Sequence, residues 1–317
     1  MILALAGGVG GAKLAQGLAM QLAPEQLLIV VNTGDDFVHL GLHISPDLDT
    51  VMYWLAGLDD PVRGWGLAHE TWNFMTALER LGEPTWFNLG DRDLATHAVR
   101  TQRLAQGEPL SEVTRHLCER LGIAHRITPM TNQQVRTIIH TATGALEFQD
   151  YFVRLHCQPV ITGINFDGAQ QASPSPAFTQ SISDPALKAI VICPSNPMLS
   201  IDPILAIPNV RDRLRRSSAP IIAVSPIVGG RAIKGPAAKI LRELGRDPSV
   251  VSVAEHYHDL IDGLVIDTAD THARSAIQSL GLHVAITDTV MKSKIDQARL
   301  AAETIAFATR ITKVAHD

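Results

Sequence analysis

Four acidic residues fall in two short polar segments, Asp35 and Asp36 in VNTGDDF and Asp47 and Asp49 in ISPDLDT. Carboxylates brought from two loops, together with phosphate oxygens, are how Mg²⁺ is normally held. An acidic protein that binds a phosphorylated ligand needs such a cation, because carboxylates alone repel the ligand. Asp35 and Asp49 are the expected metal ligands, whereas Asp47 stands at a predicted helix start and reads equally as a cap. Upstream, AGGVGGAKL places Gly7, Gly8, Gly10 and Gly11 between an apolar run and a helical pattern. Glycines there let backbone approach a phosphate, and the first N–H groups of the helix point at it. The stretch departs from both familiar fingerprints. G-x-G-x-x-G from Gly8 needs glycine at 13, where Lys13 stands, and a Walker A loop needs Gly-Lys-Ser/Thr, whereas Lys13 lies between Ala12 and Leu14. Backbone contact at Gly8, Gly10 and Gly11 is expected, with Lys13 either neutralising phosphate or standing solvated in the first helical turn.

Two further groups carry chemistry. All four tryptophans, Trp54, Trp65, Trp72 and Trp86, lie within 33 positions that also hold Phe74, with Phe37 and Phe87 close by. Such a set is a local core cluster or a flat apolar wall for a ring system. Gly90 precedes Asp91, Arg92 and Asp93 at a predicted helix start, where the planar fork of Arg92 suits a phosphate or a ring oxygen. His97 follows on the same helix, and a lone helical histidine is more often structural than catalytic.

These residues need a scaffold, and the apolar runs supply one. MILALAG, LLIVVNTG, RTIIHTA, the region 151–166, KAIVICPSNP, APIIAVSP, DGLVID and HVAITD read as strands; residues 11–22, 47–58, 68–81, about 234–244 and about 290–309 read as helices, with further helices between. Alternation of this kind argues for an α/β fold, a mostly parallel sheet with helices on both faces. Five of the strands end in polar turns: AGGVGG, NTGDD, CPSNP, VSPIVGG and ITDT. Ligands of open α/β sheets bind beyond the carboxyl ends of the strands, so these turns are expected to meet at one crevice.

Composition narrows the function classes. The 317 residues are 46% hydrophobic and 19% charged, with a net charge of −5. That composition belongs to a globular chain, and the acidic balance argues against nucleic-acid or anionic-membrane binding. No apolar run reaches the roughly 18 residues of a membrane span, and the first residues lack the basic region of a signal peptide. Cys118, Cys157 and Cys193 form no pattern of pairs, which fits a reducing cytoplasm.

Taken in order, GGVGGAKL, VNTGDD, ISPDLDTVMYWLAG, GWG, ETWNF, FNLGDRDLATH, FQDYFVR, PSNPMLSIDPIL and SPIVGGRAIKGPAAK resemble the 2-phospho-L-lactate transferase family of coenzyme F-420 biosynthesis. The resemblance implies a Rossmann-like core, here 1–110 and 180–317, with a smaller α/β insert at 111–179. It implies in-line transfer of a phospho-organic acid (lactate, enolpyruvate or glycerate derivative) from a guanosine-diphosphate-linked donor to the deazaflavin Fo (7,8-didemethyl-8-hydroxy-5-deazariboflavin), with Mg²⁺ and release of GMP. It ties Asp49 and Arg92 to the Fo site; Asp35 joins them as catalytic, and Ser195 and Asn196 are expected at the donor. Asp202 stands where the family pattern expects glycine. A homodimer is the default assembly. Two other classes remain open. One is the related nucleotide-sugar-binding regulatory family of gluconeogenesis factors, whose GGGTGLS and ADDGGSSG patterns are absent here. The other is a nicotinamide-dependent oxidoreductase, disfavoured by the failed dinucleotide fingerprint.

Overall fold

ILALA and LLIVV have no polar side chain to give to water, so both become strands buried on two faces. The computed structural model describes residues 1–233 and 235–311. In it β1 (Ile2–Ala6) pairs in parallel with β2 (Leu27–Val31), and α1 (Gly8–Gln21) crosses between them. A short hairpin follows, β3 (Phe37–His39) and β4 (Leu42–Ile44), then α2 (Pro46–Ala56), α3 (Asn73–Arg80), α4 (Asp93–Ala105), α5 (Leu110–Arg120) and β5 (Arg126–Pro129). Next come β6 (Arg136–Thr141), β7 (Gly144–Glu147) and β8 (Ile161–Asp167), then α6 (Pro176–Ile182), β9 (Ala189–Ile192), α7 (Asp202–Leu205), α8 (Val210–Arg216) and β10 (Ile221–Val224). The small hairpin β11 (Ile227–Val228) and β12 (Arg231–Ala232) leads to α9 (Ala237–Glu243), α10 (Val250–Tyr257), β13 (Gly263–Asp267), α11 (Arg274–Ser279), β14 (His283–Thr287) and α12 (Lys294–Arg310).

Seven strands form one sheet in the order β14-β13-β10-β9-β1-β2-β5, with every neighbouring pair parallel. This is the α/β architecture expected from the alternation. Successive residues of β1 face opposite sides. Ile2, Ala4 and Ala6 join a core built with α1, α2, α5 and α12, while Leu3 and Leu5 join one built with α8, α9, α10 and the small sheet. Each fully buried Leu or Ile contributes about 1.5–3 kcal/mol, so the two cores hold the sheet from both sides. The chain leaves β1 towards β2 and β5 and later returns to β9 on its other side, which puts the topological switch between β1 and β9.

The insert is smaller than expected. Residues 111–129, assigned to it from the sequence, instead supply most of α5 and the edge strand β5 of the main sheet. At the other end α6 returns Phe178 and Ile182 to the main core. What remains is the antiparallel sheet β7-β6-β8, which absorbs RTIIHTA as β6. The strand expected over 151–166 begins only at Ile161, because residues Asp150–Arg154 form a wide helical turn. The helix expected over 68–81 starts at Asn73, since Glu70 and Thr71 bond across to the head of α4. Among the described residues no helix is long and apolar enough to cross a membrane.

Candidate active site

All five polar turns contribute to one cleft of about 560 Å³ over the carboxyl ends of the strands. Gly8 and Gly10 enter it from the end of β1, Asn32 and Asp35 from β2, Ser195 and Asn196 from β9, Ser225 from β10 and Thr289 from β14. It therefore spans the switch point, where open α/β sheets bind ligands.

The floor is acidic. Asn32 is the hub: its Nδ2 donates to Asp47 Oδ2 at 3.0 Å and to Asp35 Oδ1 at 3.3 Å. Burial pushes Asp35 well above the usual carboxylate range, and the nearby Asp47 and Asp36 charges add to the rise. Burial also pushes Asp47 up, to about 6, although Asn32 and the Gly8 N–H at 2.6 Å pull the other way. Asp36 is raised by burial against the opposing pull of His43 and Ser45, with His43 Nε2 at 3.1 Å and the Ser45 hydroxyl donating at 2.7 Å. Two buried carboxylates sharing one amide donor are short of positive charge. Asp49 is not: Arg100, 1% exposed, grips both its oxygens, with Nη1 at 3.1 Å from Oδ2 and Nη2 on Oδ1. Of the expected metal pair, Asp35 stays on the floor but its neighbour there is Asp47, while Asp49 is neutralised by a guanidinium.

The glycine turn serves packing as well as access. Gly8 sits at φ +62°, a conformation that strains other residues, and its N–H bonds Asp47. A Cβ at Gly10 would fall on the Pro194 carbonyl oxygen, so α1 and the β9 turn interlock through that missing side chain. Gly11 is buried against Ser195 and Ala6 and, unlike Gly8 and Gly10, is absent from the cleft lining. Lys13 does line the cleft; its Nζ donates to Met291 O at 2.8 Å and lies over the Trp54 ring. It thus ties the segment after β14 to α1.

Ser195 and Asn196 are fixed by backbone. Ser195 Oγ accepts from Gly7 N at 3.0 Å, and Asn196 Oδ1 accepts from Met198 and Leu199 N–H, while its buried Nδ2 has no partner among the described residues. Asp202, in place of the expected glycine, starts α7 and faces His256 Nε2 at 2.9 Å. Arg92 departs from expectation: it is exposed, absent from the cleft lining, and its Nη1 donates to Ala68 O at 2.9 Å. Its neighbours do not pair with it either. Asp91 accepts from Thr71, Asn73 and Phe74 and is held at about 2 by those bonds, while Asp93 accepts from the Tyr53 hydroxyl.

The aromatic residues divide. Trp54 is core, and Phe37 and Phe74 pack in a satellite cluster; Trp65, Trp86 and Phe87 line the cleft. The Arg63 guanidinium lies against the rings of both Trp65 and Trp72, 5.4 and 5.1 Å from their centroids. The segment between β7 and β8, which holds the FQDYFVR stretch, supplies a further wall. Phe148 and Phe152 stack at 5.3 Å, anchored by Gln149 Nε2 donating to Asp35 O at 3.3 Å. The cleft thus joins apolar ring-sized walls to a floor of carboxylates beside the glycine turn, a shape for a large ligand with an aromatic end and a polar end.

Residues 2–307 match the family described as "2-phospho-L-lactate transferase CofD". The chain belongs to that family. Members are transferases, and this CofD-family chain is an enzyme of that class. It is 40% identical to a phosphoenolpyruvate transferase of Kitasatospora aureofaciens, over 98% of each chain. It is 41% identical to the phosphoenolpyruvate transferase of Mycobacterium tuberculosis over 80% of this chain and 82% of that one. A 2-phospho-L-lactate transferase of Methanosarcina mazei is 37% identical over 93% of this chain and 96% of its own. Among solved structures, a UPF0052-family protein of Bacillus halodurans superposes with a TM-score of 0.66 at 12% identity, covering 96% of this chain and 98% of that one. At that identity the likeness establishes the shared fold alone.

Proposed function

We propose that the enzyme transfers a phospho-organic acid from a guanosine-diphosphate-linked donor to the terminal ribityl hydroxyl of Fo, releasing GMP. The observation that carries this reading is the cleft itself, in a chain that matches the family over residues 2–307: aromatic walls at one side, carboxylates and the glycine turn at the other. Phosphoenolpyruvate is the first choice of acid, because the relatives at 40 and 41% identity bear that name and the lactate-named one stands at 37%.

The hydroxyl oxygen forms a bond to the phosphorus that carries the acid. The bond from that phosphorus to the bridging oxygen breaks, GMP departs with that oxygen, and the hydroxyl proton is released. Such chemistry is mostly positioning and charge stabilisation. Asp35 and Asp47 suit Mg²⁺: both are buried, charge-poor and joined at one amide. Among the described residues no three His, Cys, Asp or Glu side chains gather into a cage, so the diphosphate would complete the shell, as is usual for this ion. When bound, Mg²⁺ would stabilise the negative charge that develops on the phosphate of the departing GMP. Gly8 and Gly10 backbone, Lys13 and the free Nδ2 of Asn196 would hold the donor, and Trp65, Trp86, Phe87, Phe148 and Phe152 would surround the deazaflavin. Arg92 would reach the acceptor only after leaving Ala68 O.

The test is direct. Purified protein with Fo, guanosine-diphosphate-linked phosphoenolpyruvate and MgCl₂ should yield equal amounts of GMP and of Fo carrying the phospho-acid, read by mass spectrometry. Binding of a nucleotide sugar without any transfer would favour the regulatory reading instead.

A further inference from the structure

The α2–α4 side of the cleft carries a polar set that phosphoryl transfer does not by itself account for. Asp49, Tyr53, Asp93 and His97 all line the cleft there, and Arg100 lies behind them. A guanidinium has donors only. Where Arg100 Nη1 stands 3.3 Å from His97 Nδ1, the ring nitrogen must therefore be the acceptor, and the ring proton sits on Nε2. Nδ1 is 3.6 Å from Asp49, too far to be bonded to it. Nε2 is 3.4 Å from Asp93 Oδ1 but makes no hydrogen bond to it, and among the described residues it has no other partner, although the residue is only 2% exposed. Asp93 Oδ1 takes the Tyr53 hydroxyl instead.

A buried N–H left without a partner is costly, so a ligand atom able to accept it is favoured at this point. Asp93 stands on the Nε2 side of the ring and Asp49 on the Nδ1 side, each with lone pairs beyond those its neighbours use. One donor flanked by acceptors complements a hydroxyl group, which accepts one hydrogen bond and donates another. A phosphate, which only accepts, would meet two carboxylates.

We infer that this wall reads the polyol chain of the acceptor: His97 Nε2–H donates to one of its hydroxyls, and Asp49 or Asp93 accepts from it. Arg100 is a positioning residue that fixes the histidine tautomer and the orientation of Asp49. The inference rests on the proposed Fo acceptor and assigns the ribityl hydroxyls to named side chains. It makes His97 a fixed donor rather than a base.

Binding of Fo and of the same deazaflavin ring without its ribityl chain, both followed by fluorescence, tests it. His97→Ala should weaken Fo binding about tenfold and leave the ring-only compound and GDP within threefold of wild type. His97→Gln, whose amide can still donate, should return Fo binding to within threefold and keep turnover within about fivefold. Equal weakening of Fo and the ring-only compound would overturn the inference, as would unchanged Fo binding in His97→Ala. A loss of turnover of about 100-fold in His97→Gln with Fo binding intact would overturn it by making His97 a base. A wild type that binds neither compound would overturn the proposed acceptor, and the inference with it.

Discussion

Arg100 holds Asp49 by both carboxylate oxygens from a position closed to solvent. Removing one partner of such a pair strands a buried charge, which costs about 3–5 kcal/mol. Arg100→Met should lose that much stability in chemical denaturation. The double variant Arg100→Met/Asp49→Asn should lose less than Arg100→Met alone, since no charge is then stranded. An Arg100→Met protein within 1 kcal/mol of wild type, about the value of an exposed pair, would refute the account.

The division of the acids predicts different metal behaviour. Chelation should abolish transfer, and Asp35→Asn and Asp47→Asn should each cut turnover by about 100-fold or more, the scale for losing a preorganised electrostatic group. Both should also raise the Mg²⁺ concentration needed for half-maximal rate. Asp49→Asn should instead raise the Fo concentration required and leave the Mg²⁺ dependence in place. A Mg²⁺ titration of the three variants decides it; a shift in Asp49→Asn equal to that in Asp35→Asn would return Asp49 to the metal.

Asp47 sets a pH dependence. Its folded value of about 6 lies above the roughly 3.9 of an unfolded aspartate, so the folded state binds the proton more tightly. That stabilisation is complete below the unfolded value and is lost as pH rises through about 6. In the metal-free protein, Asp47→Asn should therefore gain on wild type between pH 4 and pH 7, by about 2–3 kcal/mol at most. Thermal melts across that range, with chelator present, provide the measurement. A constant difference between the two proteins would show that Asp47 titrates normally.

Gly10→Val would drive a branched side chain onto the Pro194 carbonyl. Overpacking of this kind costs about 1–3 kcal/mol, and here the relief must come from moving the β9 turn that carries Ser195 and Asn196. GDP binding should weaken at least tenfold, with Fo binding changed by less than threefold. Calorimetric titration with each ligand would show it, and an equal loss for both would mean that the whole cleft had shifted.

What could be read in advance follows from how local each signal is. The apolar runs of β1, β2, β9, β10 and β13 and the glycines after β1 are local, and they located the sheet and its ligand-binding edge. The pairing of the acids is not local. Asp47 and Asp49 are two residues apart on α2, so they point to different faces, and only the position of α4 shows that Asp49 meets Arg100. A local signal does mark this side of the cleft: Asp93, His97 and Arg100 recur at i, i+4 and i+7, a single polar stripe on α4. A polar stripe usually faces water. This one is buried because α2 brings Asp49 and Tyr53 against it. The extent of the insert was not legible locally: α5 is rich in charge, yet its Val113 and Leu117, with Ile127 of β5, belong to the main core.

The place of β1 in the sheet has a consequence for synthesis. Its two neighbours are β2, ending at Val31, and β9, beginning at Ala189. At ordinary elongation rates a ribosome takes roughly 10–30 s to travel from one to the other. Through that interval β1 is paired along one edge only, and the Pro194 carbonyl against which Gly10 will close has not yet been made. The nascent half-sheet exposes an apolar strand edge, the kind of edge that recruits other chains. Conditions that slow translation in the middle of the message, or that deplete chaperones, should therefore reduce the yield of soluble enzyme more than they reduce the activity of the molecules that do fold.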